Sequence, residues 1–479
     1  MTSILTQIAD WANGAENETF DSEFFFEPSW LPKVLNGDRI LIIGRKGTGK
    51  TAIARRAAEG DGTTVCAESV PFEAIDATRF GFHRDEAHEK EVLVRVCRYL
   101  ILRTVCELFF ENSSDATFTP ALERALGFPL TDYRKKPLSE RLRRIRVDVA
   151  GFGVDVGLHQ ASTSPSDVLD DRINRLTEFV EENIFSRTFR VIFDALDSGW
   201  IEACQDGHQA RYARKIGALV AAAIDIRNHF KALGRRIVPL IFTRADIFSQ
   251  IANAQRTAWE QDCGLHLEWT KQELQDLLLF RILKTARLYD SRCDQKRALE
   301  MAFKHQTGEL VDFNGRQRRL RLIDYVIDFS IGRPRDVVVY LAKTAMIVAR
   351  ERGEGARITK EDVMGGLSAY GQFLREEIQD ELGGEYPGIR RLLNGIRSTT
   401  ASTLSFDQFG SIARRTVKEG MSEGELHLLA ERLFELGVIG HQLADGSSQY
   451  VVRDRTAAFD ELLPLRLHPS YSTALSVSV

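Results

Sequence analysis

Cysteine is scarce in this chain, and its spacing does not suit a metal site. Six cysteines occur among 479 residues, at positions 66, 97, 106, 204, 263 and 293, and no two form a CxxC pair. Isolated cysteines in a large chain are typical of free thiols in a reducing compartment rather than of a disulfide framework. The sequence therefore predicts a cytoplasmic protein.

Excess positive charge and long uncharged apolar runs are also missing. The formal net charge is -4, so no overall basic field draws the protein to nucleic acid or to a membrane surface. The longest apolar run, residues 92–110, is interrupted by Arg95, Arg98 and Arg103, which argues against a membrane helix. The first twenty residues lack the basic start and apolar core of a signal peptide. We expect no membrane contact.

Familiar hydrolytic constellations are absent as well. The ten histidines are scattered, and the sequence contains no HExxH pair, no zinc-ligand spacing and no Ser-His-Asp arrangement that we can assign. The N-K-x-D run of guanine-binding sites is also absent. If an effector activity exists, we expect it on another chain.

What is present is a glycine-rich loop between an apolar strand and a helix, in "RILIIGRKGTGKTAIARR", residues 39–56. Positions 44–51 fit G-x-x-x-x-G-K-[ST], in which glycines let backbone N–H groups converge on phosphates. The lysine reaches the β- and γ-phosphates, and the final hydroxyl binds Mg²⁺. The predicted nucleotide-binding residues are Gly44, Arg45, Lys46, Gly47, Thr48, Gly49, Lys50 and Thr51.

A second apolar strand, in "RTFRVIFDALDSGW", residues 187–200, ends at two acidic residues. Open α/β sheets bind ligands at the carboxyl ends of their strands. Asp194, at the strand end, is predicted to hold Mg²⁺ together with Thr51. Asp197 is the candidate to orient or activate the attacking water.

A third strand, in "RRIVPLIFTRADIF", residues 235–248, carries Thr243 and Arg244 after an apolar core at 237–242. A polar residue at such a strand tip commonly contacts the γ-phosphate or the lytic water. The alternatives are that Thr243 caps a helix and that Arg244 forms a surface salt bridge. "LHLEW", residues 265–269, alternates like a further strand.

Taken in order, the glycine-rich loop, "VIFDALD", "PLIFTRADIF" and "SIGRPRDVVVYL" resemble the bacterial STAND/AAA-like (ASCE) P-loop ATPases. Members of this family often occur in prokaryotic defence or signalling, and the resemblance covers about residues 36–385. It implies that the strand of residues 237–242 separates the other two. It also implies a helical lid whose Arg335 points back at the nucleotide, although a surface arginine at a helix start would look the same.

One departure from the family pattern concerns turnover. Many hydrolysing relatives place Glu directly after the magnesium-side Asp, whereas Ala195 follows Asp194 and Ser198 follows Asp197 here. Asp197 is then the remaining candidate for the catalytic base. The sequence therefore favours a switch that hydrolyses its nucleotide slowly.

The predicted fold class is α/β: a P-loop NTPase parallel sheet with a helical insertion, then a helical lid and a C-terminal winged-helix-like domain. The predicted boundaries are an N-terminal arm at 1–35, the NTPase core at 36–270 with its insertion at about 80–170, the lid at 271–385, the winged-helix-like domain at 386–460 and a C-terminal tail at 461–479. Residues 143–159 alternate around two glycines and predict a hairpin within the insertion.

The winged-helix prediction rests on three amphipathic helices followed by a hairpin at residues 445–446. Ser422 and Glu425 form a capping-box pattern before the third helix. That helix is acidic, so a protein contact is favoured over sequence reading of DNA. Arg414, Arg415 and Lys418 in the preceding helix could nevertheless touch a phosphate backbone.

Two basic clusters, at 134–146 and 315–321, could also grip phosphates, but solvated faces or subunit contacts are the favoured interpretation. The sequence thus predicts an ATP- and Mg²⁺-dependent switch that signals to a homo-oligomer or a separate effector protein. The alternatives are a DNA-remodelling or loader ATPase and a nucleotide-dependent scaffold without turnover. The ATPase rate with and without DNA separates them.

Overall fold

A computed structural model of the chain describes residues 3–11, 22–60, 64–67, 86–113, 116–130, 140–141, 165–185, 187–197, 199–251, 253–304, 309–313, 316–399, 403–454 and 456–474. The chain divides into two compact units. The helical unit comprises Met1–Phe26, which contains helix α1 (Ile4–Asp10), and Glu268–Val479. The sheet unit comprises Glu27–Leu267. Within the described ranges, no helix has both the length and the apolar character needed to cross a bilayer.

The sheet unit is built on five parallel strands. They are β1 (Leu41–Gly44), β2 (Thr64–Ala67), β3 (Thr188–Phe193), β4 (Arg236–Arg244) and β5 (Gly264–His266). Their order across the sheet is β2-β3-β4-β1-β5. Every residue of β1 and β3 is buried, as expected where both faces of a parallel sheet are covered. The predicted α/β class is confirmed, and β4 lies between β1 and β3 as expected.

Helices of the sheet unit surround these strands. The described ones are α2 (Leu31–Leu35), α3 (Lys50–Ala58), α4 (Glu86–Asn112), α5 (Thr119–Leu126), α6 (Pro165–Asn183), α7 (Trp200–Gln205), α8 (Gln209–Ala232), α9 (Ala245–Ser249) and α10 (Asn253–Cys263). The long α4 packs on α6 and α8, so the described part of the predicted insertion is helical.

Two arginines of this insertion, Arg103 and Arg141, are buried rather than solvated. Arg103 on α4 pairs with Glu107 one turn later at 2.8 Å, and both side chains are buried. Arg141, from the basic cluster at 134–146, is fully buried beside Glu107 and Glu111. For Arg141, therefore, the expectation of a solvated or phosphate-binding side chain is wrong, because two carboxylates neutralise it. The rest of that cluster and the predicted hairpin at 143–159 lie outside the described residues.

The helical unit continues with α11 (Lys271–Arg287), α12 (Gln295–Ala302), the antiparallel pair β6 (Glu309–Phe313) and β7 (Arg316–Leu320), α13 (Leu322–Asp328), α14 (Pro334–Arg352) and α15 (Lys360–Leu382). Helix α1 packs against α14 through a face that includes the buried Leu5 and Ile8. The prediction of one N-terminal arm at 1–35 is wrong. Apolar residues anchor α1 in the helical unit, whereas residues 27–35 belong to the sheet unit.

After α15 the chain forms α16 (Ile389–Ser398), α17 (Phe406–Thr416), α18 (Glu423–Glu435), β8 (Ile439–Gln442) and β9 (Ser448–Gln449). These are the three helices and the hairpin that the sequence predicts. Ser422 and Glu425 form the expected capping box at the start of α18. Gly446 takes a φ of 81° in the hairpin turn.

The prediction of a C-terminal tail at 461–479 is wrong as far as residue 474. Strand β10 (Leu465–Leu467) pairs antiparallel with β8, and α19 (Pro469–Ala474) packs on α15. Tyr471 on α19 is 1% exposed. The pairing of β10 with β8 and the burial of Tyr471 give this segment a fixed place in the helical unit.

Acid should destabilise this C-terminal segment through His468. The ring is fully buried, lies 4.8 Å from the Tyr450 ring and accepts a hydrogen bond from the Ser470 N–H. Burial, then the nearby charge of Arg453, lowers its pKa well below the usual value. Because the folded pKa is depressed, the stabilisation is complete above about pH 6.5 and is lost as pH falls below it. We expect a loss of up to about 1.4 kcal/mol per pH unit.

Urea denaturation of the protein from pH 7.5 to 5 measures this loss. The His468→Asn variant, which keeps an acceptor but cannot titrate, should show a smaller pH slope despite lower stability at pH 7.5. His427→Gln is the matched control, because His427 is half-exposed and bonded to Glu461. An unchanged slope in His468→Asn would contradict the assignment.

Candidate phosphate-binding site

The loop between β1 and α3 has the backbone that its glycines predict. Gly47 and Gly49 take φ values of 82° and 96°, in the left-handed region that favours glycine. A Cβ at Gly44 would lie 2.4 Å from the Thr48 Oγ1, so a side chain there would collide with the loop. The loop leads directly into the first turn of α3, where helix N–H groups point outward.

Lys50 lies folded over this loop. Its Nζ donates to the Gly44 carbonyl at 2.9 Å and to the Arg45 carbonyl at 3.0 Å, while the Thr48 hydroxyl donates to the Arg45 carbonyl at 2.8 Å. Burial lowers the pKa of Lys50 to about 8, and the negative charge of Asp197 opposes the shift. The ammonium is partly desolvated, so a bound anion would replace hydration that it has lost.

Asp194 and Thr51, the two predicted Mg²⁺ ligands, meet at the carboxyl edge of the sheet. Asp194 follows the last residue of β3, and the Thr51 side chain at the start of α3 hydrogen-bonds to its carboxylate. Burial raises the pKa of Asp194, and hydrogen bonds from Ala195 and Thr51 limit the rise. A carboxylate with this much desolvation favours a nearby cation.

The turn after Asp194 is strained. Ala195 takes a φ of 54°, a left-handed conformation that costs a non-glycine residue about 1–2 kcal/mol. This conformation lets the Ala195 N–H donate to Asp194 and begins the turn that leads to Asp197. Such strain is common at functional sites, where surrounding structure holds it in place.

Thr243 and Arg244 end β4 beside the glycine-rich loop, because Ile43 pairs with Thr243 and Gly44 with Arg244. The Thr243 hydroxyl is buried and finds no hydrogen-bond partner among the described residues. The N-cap residue of α9 is Arg244. The alternative that Thr243 caps a helix is therefore wrong.

Arg244 is buried, so the surface salt-bridge alternative is wrong. Its side chain is 6% exposed and lies 3.6 Å from the Asp197 carboxylate, measured from Nη1 to Oδ2. Its Nε and Nη2 donate to the two oxygens of Asp246 at 3.0 and 2.6 Å. Asp246 is not among the residues predicted from the sequence. Its position two residues after an arginine at a strand end is the sequence feature that could have indicated this ion pair.

Arg335 lies in the helical unit, and its Nη1 is 3.3 Å from Glu377 on α15. Helix α14 does begin at Pro334, after Gly332 with a φ of 77°. The structure thus gives Arg335 a carboxylate partner within its own unit, and the predicted nucleotide contact stays a prediction.

The residues of the sheet unit suit a magnesium-bound triphosphate. A loop with two left-handed glycines, a partly desolvated ammonium and the buried Thr243 hydroxyl, which has no partner among the described residues, are complementary to phosphate oxygens. The oxygen ligands of Thr51 and Asp194 suit Mg²⁺, which commonly takes one or two protein oxygens together with phosphates and water.

A scan against protein-family models finds no match to this chain. A search of curated proteins likewise finds no relative.

Proposed function

We propose that this protein is a Mg²⁺-dependent ATP-binding switch that hydrolyses ATP slowly and signals to a homo-oligomer or an effector protein. One observation carries the proposal: Lys50, Thr51 and Asp194 converge beside a loop with two left-handed glycines. In this proposal the sheet unit is a P-loop NTPase core, and residues 386–474 form a winged-helix-like domain.

Each residue has a distinct part in the proposal. The loop amides and Lys50 bind the β- and γ-phosphates. Thr51 and Asp194 hold Mg²⁺, which when bound neutralises charge that develops on the phosphates. Asp197 orients the attacking water, and the Thr243 hydroxyl is positioned for the γ-phosphate.

Slow turnover is supported by the surroundings of Asp197. Its carboxylate lies 3.6 Å from the Arg244 guanidinium, which would compete with a water molecule for the same oxygens. No glutamate follows Asp194 or Asp197 in the sequence.

A protein partner is favoured over DNA by the ion pairs of the C-terminal helices. Arg414 pairs with Glu423 at 2.5 Å, and Lys418 pairs with Glu425 at 2.6 Å. Glutamates of α18 therefore partly neutralise the cations that could have contacted a phosphate backbone. A DNA-dependent rise in ATPase rate with a steep salt dependence would instead support the remodelling alternative.

The test combines equilibrium binding of fluorescent ATP with single-turnover hydrolysis in the presence of Mg²⁺. Asp197→Asn should bind ATP within about threefold of wild type but hydrolyse about 100-fold more slowly, because water loses its base. Asp206→Asn, an exposed acid of the same unit, should change neither quantity.

A wild-type protein that binds no nucleotide would overturn the proposal. A wild-type protein that binds ATP and never hydrolyses it, alone or with partners, would leave the scaffold alternative in its place.

A further inference from the structure

Arg244 is held between two carboxylates that use different edges of its guanidinium. Asp246 accepts from Nε and Nη2 at 3.0 and 2.6 Å, which is a bidentate pair along one edge. The remaining nitrogen, Nη1, lies 3.6 Å from Asp197. The side chains of Arg244 and Asp246 are 6% and 15% exposed, so water screens their attraction little.

This bidentate pair determines the direction of the Arg244 side chain. A guanidinium is planar, and two parallel hydrogen bonds to one carboxylate restrict its rotation. Gly44 pairs with Arg244 in the sheet, so the Arg244 backbone lies beside the glycine-rich loop. Both Arg244 and Asp246 also act electrostatically on Lys50.

We propose that Asp246 is a positioning residue that directs the Nη1 end of Arg244 toward the position of a γ-phosphate, and that the site thereby prefers ATP to ADP. The inference rests on the proposed nucleotide-binding function. In the structure, the Asp197 carboxylate lies 3.6 Å from the Nη1 end. A γ-phosphate competes for that end, and its binding frees Asp197 for water.

Loss of the Asp246 charge should strengthen the competing pair. Without a carboxylate on its Nε edge, Arg244 can turn and present two nitrogens to Asp197. A γ-phosphate must then compete with a bidentate ion pair to Asp197 rather than with the longer 3.6 Å contact seen here. ADP has no γ-phosphate, so its binding should not change.

The experiment measures the dissociation constants of a non-hydrolysable ATP analogue and of ADP, each with Mg²⁺, on the full chain. We expect Asp246→Asn to bind the ATP analogue about tenfold more weakly and ADP within about twofold of wild type. The control is Asp262→Asn, which breaks another arginine–aspartate pair of the sheet unit, Arg227–Asp262 at 2.7 Å. It should leave the ratio of the two constants unchanged.

A second pair of variants separates positioning from a structural role. In an Asp197→Asn background the competing carboxylate is gone, so adding Asp246→Asn should weaken the ATP analogue less than threefold. If Asp246→Asn does not fold, Arg244→Lys, which keeps the charge but has one nitrogen, should give the same ATP-selective loss.

Equal losses for both nucleotides, or no loss, in Asp246→Asn would overturn the inference while leaving ATP binding intact. A wild-type protein that binds neither nucleotide would overturn the proposed function, and this inference with it. The two failures are therefore distinguishable.

Discussion

Replacing Lys50 by alanine should weaken ATP binding by about 100-fold. A hydrogen bond to a charged group contributes up to about 3 kcal/mol, and here the ammonium is partly buried and already held at the loop. Isothermal titration or a fluorescent nucleotide measures the change. Lys33→Ala is the matched control, since Lys33 is exposed on α2. An affinity in Lys50→Ala within threefold of wild type would contradict the assignment of the loop.

The same lysine predicts a pH dependence of binding. Its pKa of about 8 in the free protein means that the charged form is lost as pH rises through that value. ATP affinity of the wild type should therefore fall above about pH 8, by up to tenfold per pH unit. Lys50→Ala should be insensitive to pH over the same range.

Replacing Arg333 by alanine should destabilise the helical unit by about 3–5 kcal/mol. Arg333 donates to Asp336 from Nε at 2.7 Å and from Nη2 at 3.0 Å, and lies 3.6 Å from Glu381. Asp336 is 0% exposed, so removal of the guanidinium leaves a buried carboxylate without its countercharge. Chemical denaturation followed by circular dichroism measures the loss.

Two comparisons make the Arg333 result specific. Arg350→Ala removes an exposed arginine of the same helix and should cost less than about 0.5 kcal/mol. Arg333→Met combined with Asp336→Asn removes both charges and should recover part of the stability. A loss below about 1 kcal/mol in Arg333→Ala would show that water or another cation compensates Asp336.

Local features of the chain were predictable because neighbouring residues decide them. The apolar runs predicted β1, β3 and β4 to within two residues of their observed ends. The Ser422–Glu425 capping box formed as its spacing indicates. The family resemblance supplied the position of β4 between β1 and β3. The α/β class, the described helical insertion and the three C-terminal helices follow from the same short-range patterns.

The predictions that were wrong share one cause. Local sequence does not show which segments far apart in the chain will pack together. Residues 1–35 were grouped by position, yet α1 packs on α14 while α2 belongs to the other unit. In the sequence alone, residues 465–474 resemble a tail. In the structure, β10 within this segment pairs with β8. Arg141 and Arg244 resemble surface cations, and both are buried against carboxylates.

The sequence by itself determined the candidate phosphate-binding loop. Its glycines, lysine and threonine stand at fixed spacing between a strand and a helix. The backbone conformation of such a loop depends on adjacent residues, so the sequence is enough to predict it. Only the tertiary structure decided which charges meet. The contact of Thr51 with Asp194, and the placement of Arg244 between Asp197 and Asp246, depend on the order and register of parallel strands. That order comes from pairing between segments far apart in the chain, which periodicity within any one segment does not encode.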